Sequence, residues 1–149
     1  MAFNGHTIID GDGHVIEDYS EIVRYMPKSY REKFDTHTFY NLFPPLDHLH
    51  SSNMHDFQPG AFNKVGPDGW VAFLEDVGIE TTVLYTTLGL SFGKIVSHDW
   101  AIDVARGYND WLYNTYMKRS PRFEGMGLIP LQEPSAAVTE LRRIVKELD

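Results

Sequence analysis

The sequence lacks cysteine, a long apolar run and a basic stripe, and each absence excludes a class of protein. Without cysteine there are no disulfides and no cysteine-ligated metal sites. Because no apolar stretch of about 18 residues and no charged leader before an apolar segment is present, neither membrane insertion nor secretion is predicted, and a cytoplasmic location is expected. Thirteen basic residues against 21 acidic ones give a formal net charge of −8, which argues against a nucleic-acid partner.

What is present suffices for one folded unit in which strands and helices alternate. The 149 residues are 42% hydrophobic, enough to bury the core of one globular unit at most. Apolar periodicity predicts three strands, at residues 8–17, 81–87 and 123–131. It also predicts two short helices separated by Pro27, at 18–26 and 29–34, and longer helices at 69–77, 99–118 and 135–148. This order predicts right-handed β-α-β units and a parallel sheet, with 81–87 as a central strand buried on both faces.

The stretch from about 35 to 68 has no apolar periodicity and carries Pro-Pro, Pro-Gly and Gly-Pro pairs, which are typical of irregular structure. A segment of this length inside a domain is typical of a functional loop, such as a lid, or of a mobile region. It contains four histidines, His37, His48, His50 and His55. Imidazoles in a polar loop are typically solvated or bonded to the backbone, and this interpretation is preferred to a second metal site.

The opening segment, residues 8–17, ends an apolar strand with two potential metal ligands, Asp12 and His14. With the period of two of a strand, Ile8, Asp10, Asp12 and His14 share one face. A carboxylate oxygen and a neutral imidazole suit zinc, iron or manganese. An Asp-x-Asp-Gly sequence is also a common turn, so the pair alone leaves that alternative open. Its position at the end of a first strand favours the metal site, because parallel barrels carry their active-site residues there.

Five separated segments of the chain follow one family pattern: residues 9–17, 70–84, 105–112, 121–123 and 129–132. They resemble the amidohydrolase-related branch that contains aminocarboxymuconate semialdehyde decarboxylase and resorcylate decarboxylase. The resemblance implies a metal-dependent α/β enzyme with a (β/α)₈ TIM barrel. Residues 1–149 would then be a partial barrel domain, its N-terminal portion of about three strand-helix units, with an irregular insertion at about 35–68. Because such a barrel takes about 250 residues, a second polypeptide is expected to supply the remaining strands in a hetero-oligomer.

The family's opening motif is Asp-x-His-x-His, in which the two histidines bind metal. Here Asp10 matches the aspartate, Asp12 stands in place of the first histidine, and His14 matches the second. Some decarboxylases of this branch also carry an acidic residue at the first ligand position. The resemblance therefore implies Asp12 and His14 as metal ligands, supported by Asp10 and Glu17. Zinc is the first choice of divalent metal, with iron or manganese as alternatives.

The expected function is hydrolysis or non-oxidative decarboxylation of a small organic acid. A bound metal would polarise a carboxylate or carbonyl, or activate water. The residues that follow the strands, Thr87, Phe92 and Gln132, are predicted to border the substrate pocket, and no catalytic residue is assigned. Two alternatives stay open: an iron-dependent oxygenase subunit of the same fold, and a non-catalytic structural subunit of a split barrel.

Overall fold

Strands and helices alternate along the computed structural model, which describes residues 5–35, 41–45 and 65–148. The strands are β1 (Ile9–Val15), β2 (Thr81–Thr86) and β3 (Phe123–Gly125). The helices are α1 (Tyr19–Ile22), α2 (Lys28–Asp35), α3 (Pro67–Val77), α4 (His98–Thr115) and α5 (Pro134–Glu147). The strands pair in parallel in the order β1-β2-β3, so the predicted parallel α/β architecture is confirmed.

The pairing of β1 with β2 contains a bulge between Asp10 and Gly13. Asp10 pairs with Thr82 and Gly13 with Leu84, so three steps along β1 match two along β2. The extra residue reverses the side-chain alternation, and Asp10 and His14 therefore lie on opposite faces of the sheet. The expectation that the polar residues of β1 all share one face is wrong, because it assumed an uninterrupted period of two.

One face of the sheet packs against α4, and we call it the covered face. Its strand residues are buried: Gly13, Val15, Thr82, Leu84, Thr86 and Phe123. The ring of Phe123 meets the ring of Tyr116, the residue after α4, at 6.0 Å between centroids. Helix α4 buries its predicted apolar stripe, Ala101, Val104, Ala105, Tyr108, Trp111 and Leu112. The core of the described chain therefore lies between the covered face and α4.

The opposite face, which we call the open face, has no helix packed on it among the described residues. Its side chains are partly or fully exposed: His14, Thr81, Val83, Tyr85 and Glu124. Strand β2 thus alternates between buried and half-buried residues. The prediction that this strand is buried on both faces is wrong for the described chain, because helices cover one side of it only.

Local sequence signals mark several helix ends, although α1 ends at Ile22 and α4 ends at Thr115, before the predicted residues 26 and 118. Pro27 separates α1 from α2, Gly78 ends α3 with a φ of 75°, and Pro134 begins α5. The Asp18 carboxylate caps α1 by accepting the N–H of Ser20 at 2.9 Å. In the part of the chain that the structure describes, no helix is both long enough and apolar enough to cross a membrane.

Strand β3 and helix α5 also differ from expectation. Strand β3 ends at Gly125 rather than near residue 131: the N–H of Met126 still donates to the Leu84 carbonyl, but the N–H of Leu128 donates to the Asn109 side chain. In the apolar stripe predicted for α5, Ala137 is buried, but three members are 45 to 62% exposed, namely Val138, Leu141 and Val145. The stripe is therefore only partly used in packing within the described chain.

The predicted insertion at about 35–68 falls largely outside the described residues. Of its described residues, 35 ends α2 and 67–68 begin α3, whereas 41–45 join the core: Leu42 is buried, and its carbonyl accepts the indole N–H of Trp100 at 3.2 Å. The histidines considered as a second metal site all lie outside the described residues, namely His37, His48, His50 and His55.

Candidate active site on the open face

Asp12 and His14, which we call the donor pair, lie together toward the carboxyl end of β1. Asp12 Oδ1 is 3.5 Å from His14 Nε2, and the two side chains are 89% and 35% exposed. The bulge removes Asp12 from the regular strand pairing, so its carboxylate projects into solvent beside the imidazole. The structure thus brings the two predicted ligands together, and metal binding by them stays a prediction.

The donor pair fits two ligands of a divalent metal. At metal-ligand distances of about 2.0 to 2.2 Å, two donors of a tetrahedral site are about 3.4 Å apart, close to the 3.5 Å between Asp12 Oδ1 and His14 Nε2. A carboxylate oxygen with an imidazole nitrogen is a donor set that zinc, iron and manganese accept. No group of three potential ligands occurs within residues 5–35, 41–45 and 65–148, so a complete coordination shell would need donors from elsewhere.

Asp10 contacts Asp12 through the backbone. Its Oδ1 accepts the N–H of Asp12 at 3.1 Å, and its Oδ2 accepts the hydroxyl of Thr82 at 2.7 Å. One bond reaches the bulge and the other reaches the neighbouring strand, so the carboxylate ties the bulge to β2. This contact is what a supporting role of Asp10 toward the donor pair requires, and the role itself stays a prediction.

Two residues at the carboxyl end of β2 flank His14 on the open face. The Tyr85 ring stacks with the imidazole at 5.8 Å between centroids and 29° between planes. The Thr87 hydroxyl lies 3.4 Å from His14 Nδ1. Thr87 was expected near the site from the sequence, and Tyr85 was missed. A period of two would have found it, because residues two positions apart on a strand share a face.

Phe92 and Gln132 come together in the segments that follow β2 and β3. Gln132 Nε2 donates to the carbonyls of Phe92 at 3.1 Å and Ile95 at 3.3 Å. Both residues line an open groove of about 640 Å³, whose lining within the described chain comes from these two segments and from Thr86 at the end of β2, not from the donor pair. These two bonds from Gln132 hold the two segments together. A substrate contact by Phe92 or Gln132 stays a prediction.

Glu17 lies on the covered side of the sheet, and none of the described hydrogen bonds joins it to the donor pair. Its carboxylate is buried and accepts the Thr86 hydroxyl, the N–H of Leu88 at 3.0 Å and the N–H of Gly89 at 2.9 Å. Burial, and then the nearby charge of Glu17, raise the pKa of the Tyr19 phenol to about 12. Glu17 therefore organises the loop after β2 instead of contacting the donor pair.

A buried charged cluster fixes the segment after β3 to the helices. Glu140 accepts bonds from Arg143 at 2.7 Å and from the Asn109 side chain at 2.8 Å, and Asn109 also bonds both the N–H and the carbonyl of Leu128. Burial opposes the charged form of Glu140, but the bonds from Arg143 and Asn109 outweigh it, so the pKa of this carboxyl is lowered. The cluster holds α5 against α4 behind the covered face.

The sequence is similar to two bacterial decarboxylases, although no protein-family model matches it. It is 41% identical over 75 residues to the gamma-resorcylate decarboxylase of Rhodococcus jostii strain RHA1. It is 36% identical over 81 residues to the gamma-resorcylate decarboxylase of Polaromonas sp. strain JS666. These alignments cover 50% and 54% of this chain but 22% and 24% of the relatives, so the chain spans less than a quarter of the length of each.

The fold is similar to 2,6-dihydroxybenzoate decarboxylase from Rhizobium, and to the same decarboxylase complexed with 2,6-dihydroxybenzoate. The TM-score is 0.56 at 23% sequence identity, and the similarity covers 95% of this chain and 36% of that protein. At this identity the structural likeness concerns the fold alone, which corresponds to about a third of a TIM-barrel decarboxylase. The sequence similarity and the fold similarity therefore agree with the resemblance to resorcylate decarboxylase noted from the sequence.

Proposed function

We propose that the chain forms part of a metal-dependent decarboxylase that acts on a small aromatic carboxylic acid. The observation that carries the proposal is the donor pair on the open face, with Tyr85 and Thr87 beside it. The gamma-resorcylate decarboxylases to which the chain is similar support the reaction class. The position of the pair agrees with it, because α/β barrels place their chemistry at the carboxyl ends of the strands.

Each residue of the site has a separate part in this proposal. Asp12 Oδ1 and His14 Nε2 would hold the metal, which when bound supplies Lewis-acid polarisation of a substrate oxygen. The Thr87 hydroxyl, 3.4 Å from Nδ1, would help to orient the imidazole so that Nε2 faces Asp12. Asp10 holds the N–H of Asp12, which keeps the bulge in the shape that presents the carboxylate.

The exposed part of the Tyr85 ring is the reason for proposing an aromatic substrate. Its ring is half-buried on the open face beside His14, so part of its surface is available to a second planar group. Aromatic rings attract each other in offset or edge-to-face arrangements, and a phenol adds a hydroxyl that can bond to a ring substituent. A benzoate-type acid fits this environment better than an aliphatic acid does.

Metal titration tests the proposal. We expect the chain, in its complex, to bind Zn²⁺ or Co²⁺ and to release CO₂ from 2,6-dihydroxybenzoate, and Asp12→Ala or His14→Ala to lower metal affinity by at least about tenfold and abolish turnover. His98→Ala is the matched control, because His98 is an exposed imidazole that faces Glu133 at 3.7 Å on another part of the chain. Unchanged metal content and turnover in both site variants would overturn the proposal.

We further propose that a second polypeptide completes the barrel as a hetero-oligomer. Three observations support it: the likeness to about a third of a barrel decarboxylase, the uncovered open face, and exposed apolar residues at Ile9, Met126 and Val145. Parallel sheets are normally covered on both faces, and a free strand edge attracts pairing. Light scattering coupled to size exclusion tests this. A well-folded monomer with full metal occupancy would contradict it, whereas a stable complex with a chain of about 200 residues would support it.

A non-catalytic structural subunit is the second candidate. One observation favours it: the described chain offers two potential metal ligands together and no third. In that case the partner would carry the whole metal shell, and substituting the donor pair would leave metal content and turnover of the complex unchanged. The titration above therefore distinguishes the two candidates.

A further inference from the structure

We infer that Glu17 is a positioning residue, which clamps the loop after β2 from the covered side and thereby places Thr87 against His14 on the open side. The inference rests on the proposed site only in that His14 is taken as the functional end of this chain of contacts. Glu17 itself touches neither member of the donor pair in the described hydrogen bonds, so its effect has to pass through the loop.

Three donors from four consecutive residues converge on the Glu17 carboxylate. One oxygen, Oε1, accepts the Thr86 hydroxyl and the N–H of Gly89 at 2.9 Å, and Oε2 accepts the N–H of Leu88 at 3.0 Å. Glu17 is 6% exposed, so these bonds compensate for the removal of its charge from water. A buried carboxylate that is bonded in this way fixes the backbone of its partners.

Thr87 lies between the clamped residues and points the other way. Its neighbours Thr86 and Leu88 are both held by Glu17, while its own hydroxyl lies 3.4 Å from His14 Nδ1. Fixing a residue on both sides of Thr87 restricts its backbone, and the restriction carries to the side chain that meets the imidazole. The clamp therefore connects the covered face to the donor pair across the sheet.

Gly89 lies in close contact with Thr86 at the start of the loop after β2. A Cβ at Gly89 would overlap the Thr86 hydroxyl and approach its Cβ to 3.0 Å. Only a residue without a side chain can therefore donate its N–H to the carboxylate that also receives the hydroxyl. The close turn and the buried carboxylate form one unit, which requires both Glu17 and Gly89.

The main test compares Glu17→Ala with Leu74→Ala by Co²⁺ affinity and by amide hydrogen exchange. Leu74 is fully buried in α3, so its truncation lowers stability without touching the clamp. We expect Glu17→Ala to speed exchange at Leu88 and Gly89 by more than about tenfold and to weaken Co²⁺ binding about tenfold. Leu74→Ala should change Co²⁺ affinity less than about twofold, since loss of stability alone does not move the donor pair.

Conservative variants keep the inference falsifiable if Glu17→Ala does not fold. Glu17→Gln retains one oxygen acceptor and should give an intermediate loss of Co²⁺ affinity, and Thr86→Val should remove one donor with a smaller loss. A variant that speeds exchange at Leu88 and Gly89 yet leaves Co²⁺ affinity and spectrum unchanged would reduce Glu17 to a purely structural residue and overturn the inference.

Failure of the proposed metal site is distinguishable from failure of the clamp. If the wild-type chain in its complex binds no Co²⁺, the proposed metal site fails. The clamp is then judged by the nuclear Overhauser contact between the Thr87 methyl group and the His14 ring. Loss of that contact in Glu17→Gln, with its retention in Leu74→Ala, would support the clamp. Retention of the contact in both variants would overturn it.

Discussion

On the covered face of the sheet, polar side chains are buried and engaged, whereas on the open face they are exposed and only loosely held. Thr82 and Glu17 each take part in hydrogen bonds across the covered side. The donor pair is 3.5 Å apart and largely exposed on Asp12. Buried polar groups that are fully bonded stabilise the fold, while exposed donors with free capacity can bind a ligand. The covered face therefore stabilises the fold, and the open face is where a ligand can bind.

The bulge in β1 is what separates the two roles within one short segment. Asp10, before it, turns its carboxylate to Thr82 on the covered side. His14, after it, pairs with Tyr85 on the open side. Bulges commonly re-aim a side chain beside a functional site, and this one lets a single strand serve both faces.

The largest expected effect is a loss of stability when Leu84 is shortened, compared with its neighbour Tyr85 on the opposite face of β2. Leu84 is 0% exposed on the covered face, so Leu84→Ala should lower the free energy of unfolding by about 2 to 5 kcal/mol through a cavity. Tyr85→Leu, on the open face, should cost less than about 1 kcal/mol. Urea unfolding followed by circular dichroism measures both. Equal losses would show that the open face is packed as tightly as the covered one.

The second comparison uses the two glycines of the bulged strand. A Cβ at Gly13 would overlap the Thr82 hydroxyl and come within 3.1 Å of the Val83 carbonyl, so Gly13→Ala should cost about 1 to 3 kcal/mol. A Cβ at Gly11 meets nothing within 4 Å, so Gly11→Ala should stay within about 0.5 kcal/mol of the wild type. Thermal unfolding of the pair checks the bulge, because in an unbulged strand the two glycines, two positions apart, would lie on one face and respond alike.

The third comparison concerns the charged cluster behind the covered face. The pKa of Glu140 is lowered from its usual 4.5, so its ionised form stabilises the folded chain. That contribution is complete above about pH 4.5 and is lost as the pH falls through the lowered pKa. Glu140→Gln should cost about 1 kcal/mol at neutral pH, with the difference from wild type shrinking in acid.

Unfolding by urea at several pH values between neutral and acid measures this dependence. Thr139→Ala is the matched control on α5, because Thr139 is exposed and its hydroxyl donates to the Ser135 carbonyl within its own helix. It should keep the wild-type dependence on pH. A Glu140→Gln curve parallel to the wild type across the whole range would contradict the structural role assigned to the carboxylate.

The sequence predicts the elements whose signals are local. The period of 3.6 in α4 places Tyr108 and Trp111 in the core, and Gly78 marks the end of α3. The parallel order follows from the alternation of strands and helices. These features depend on residues a few positions apart, so periodicity and end signals suffice to find them.

The features that the sequence did not predict depend on distant partners. The bulge has no local signal, because the register of β1 is set by its pairing with β2 some 70 residues later. In the sequence alone, nothing distinguishes Glu17 from a solvent-exposed acid, because its partner Leu88 lies 71 positions later in the chain. Strand β3 is shorter than its apolar run because Leu128 bonds to Asn109 instead of to a strand. In each case a long-range contact overrides a local pattern.

The last comparison tests whether the open face selects aromatic acids. Tyr85→Leu should weaken the binding of benzoate by the complex by about 0.5 to 1.5 kcal/mol, since ring stacking contributes that much beyond buried area. Tyr85→Phe keeps the ring and should bind benzoate as the wild type does, which separates stacking from the phenol hydroxyl. Butyrate, which has no ring, should bind all three proteins equally in calorimetry. If Tyr85→Leu weakened both acids alike, the ring would serve only to support His14, and the contrast between a structural face and a selective face would fail at Tyr85.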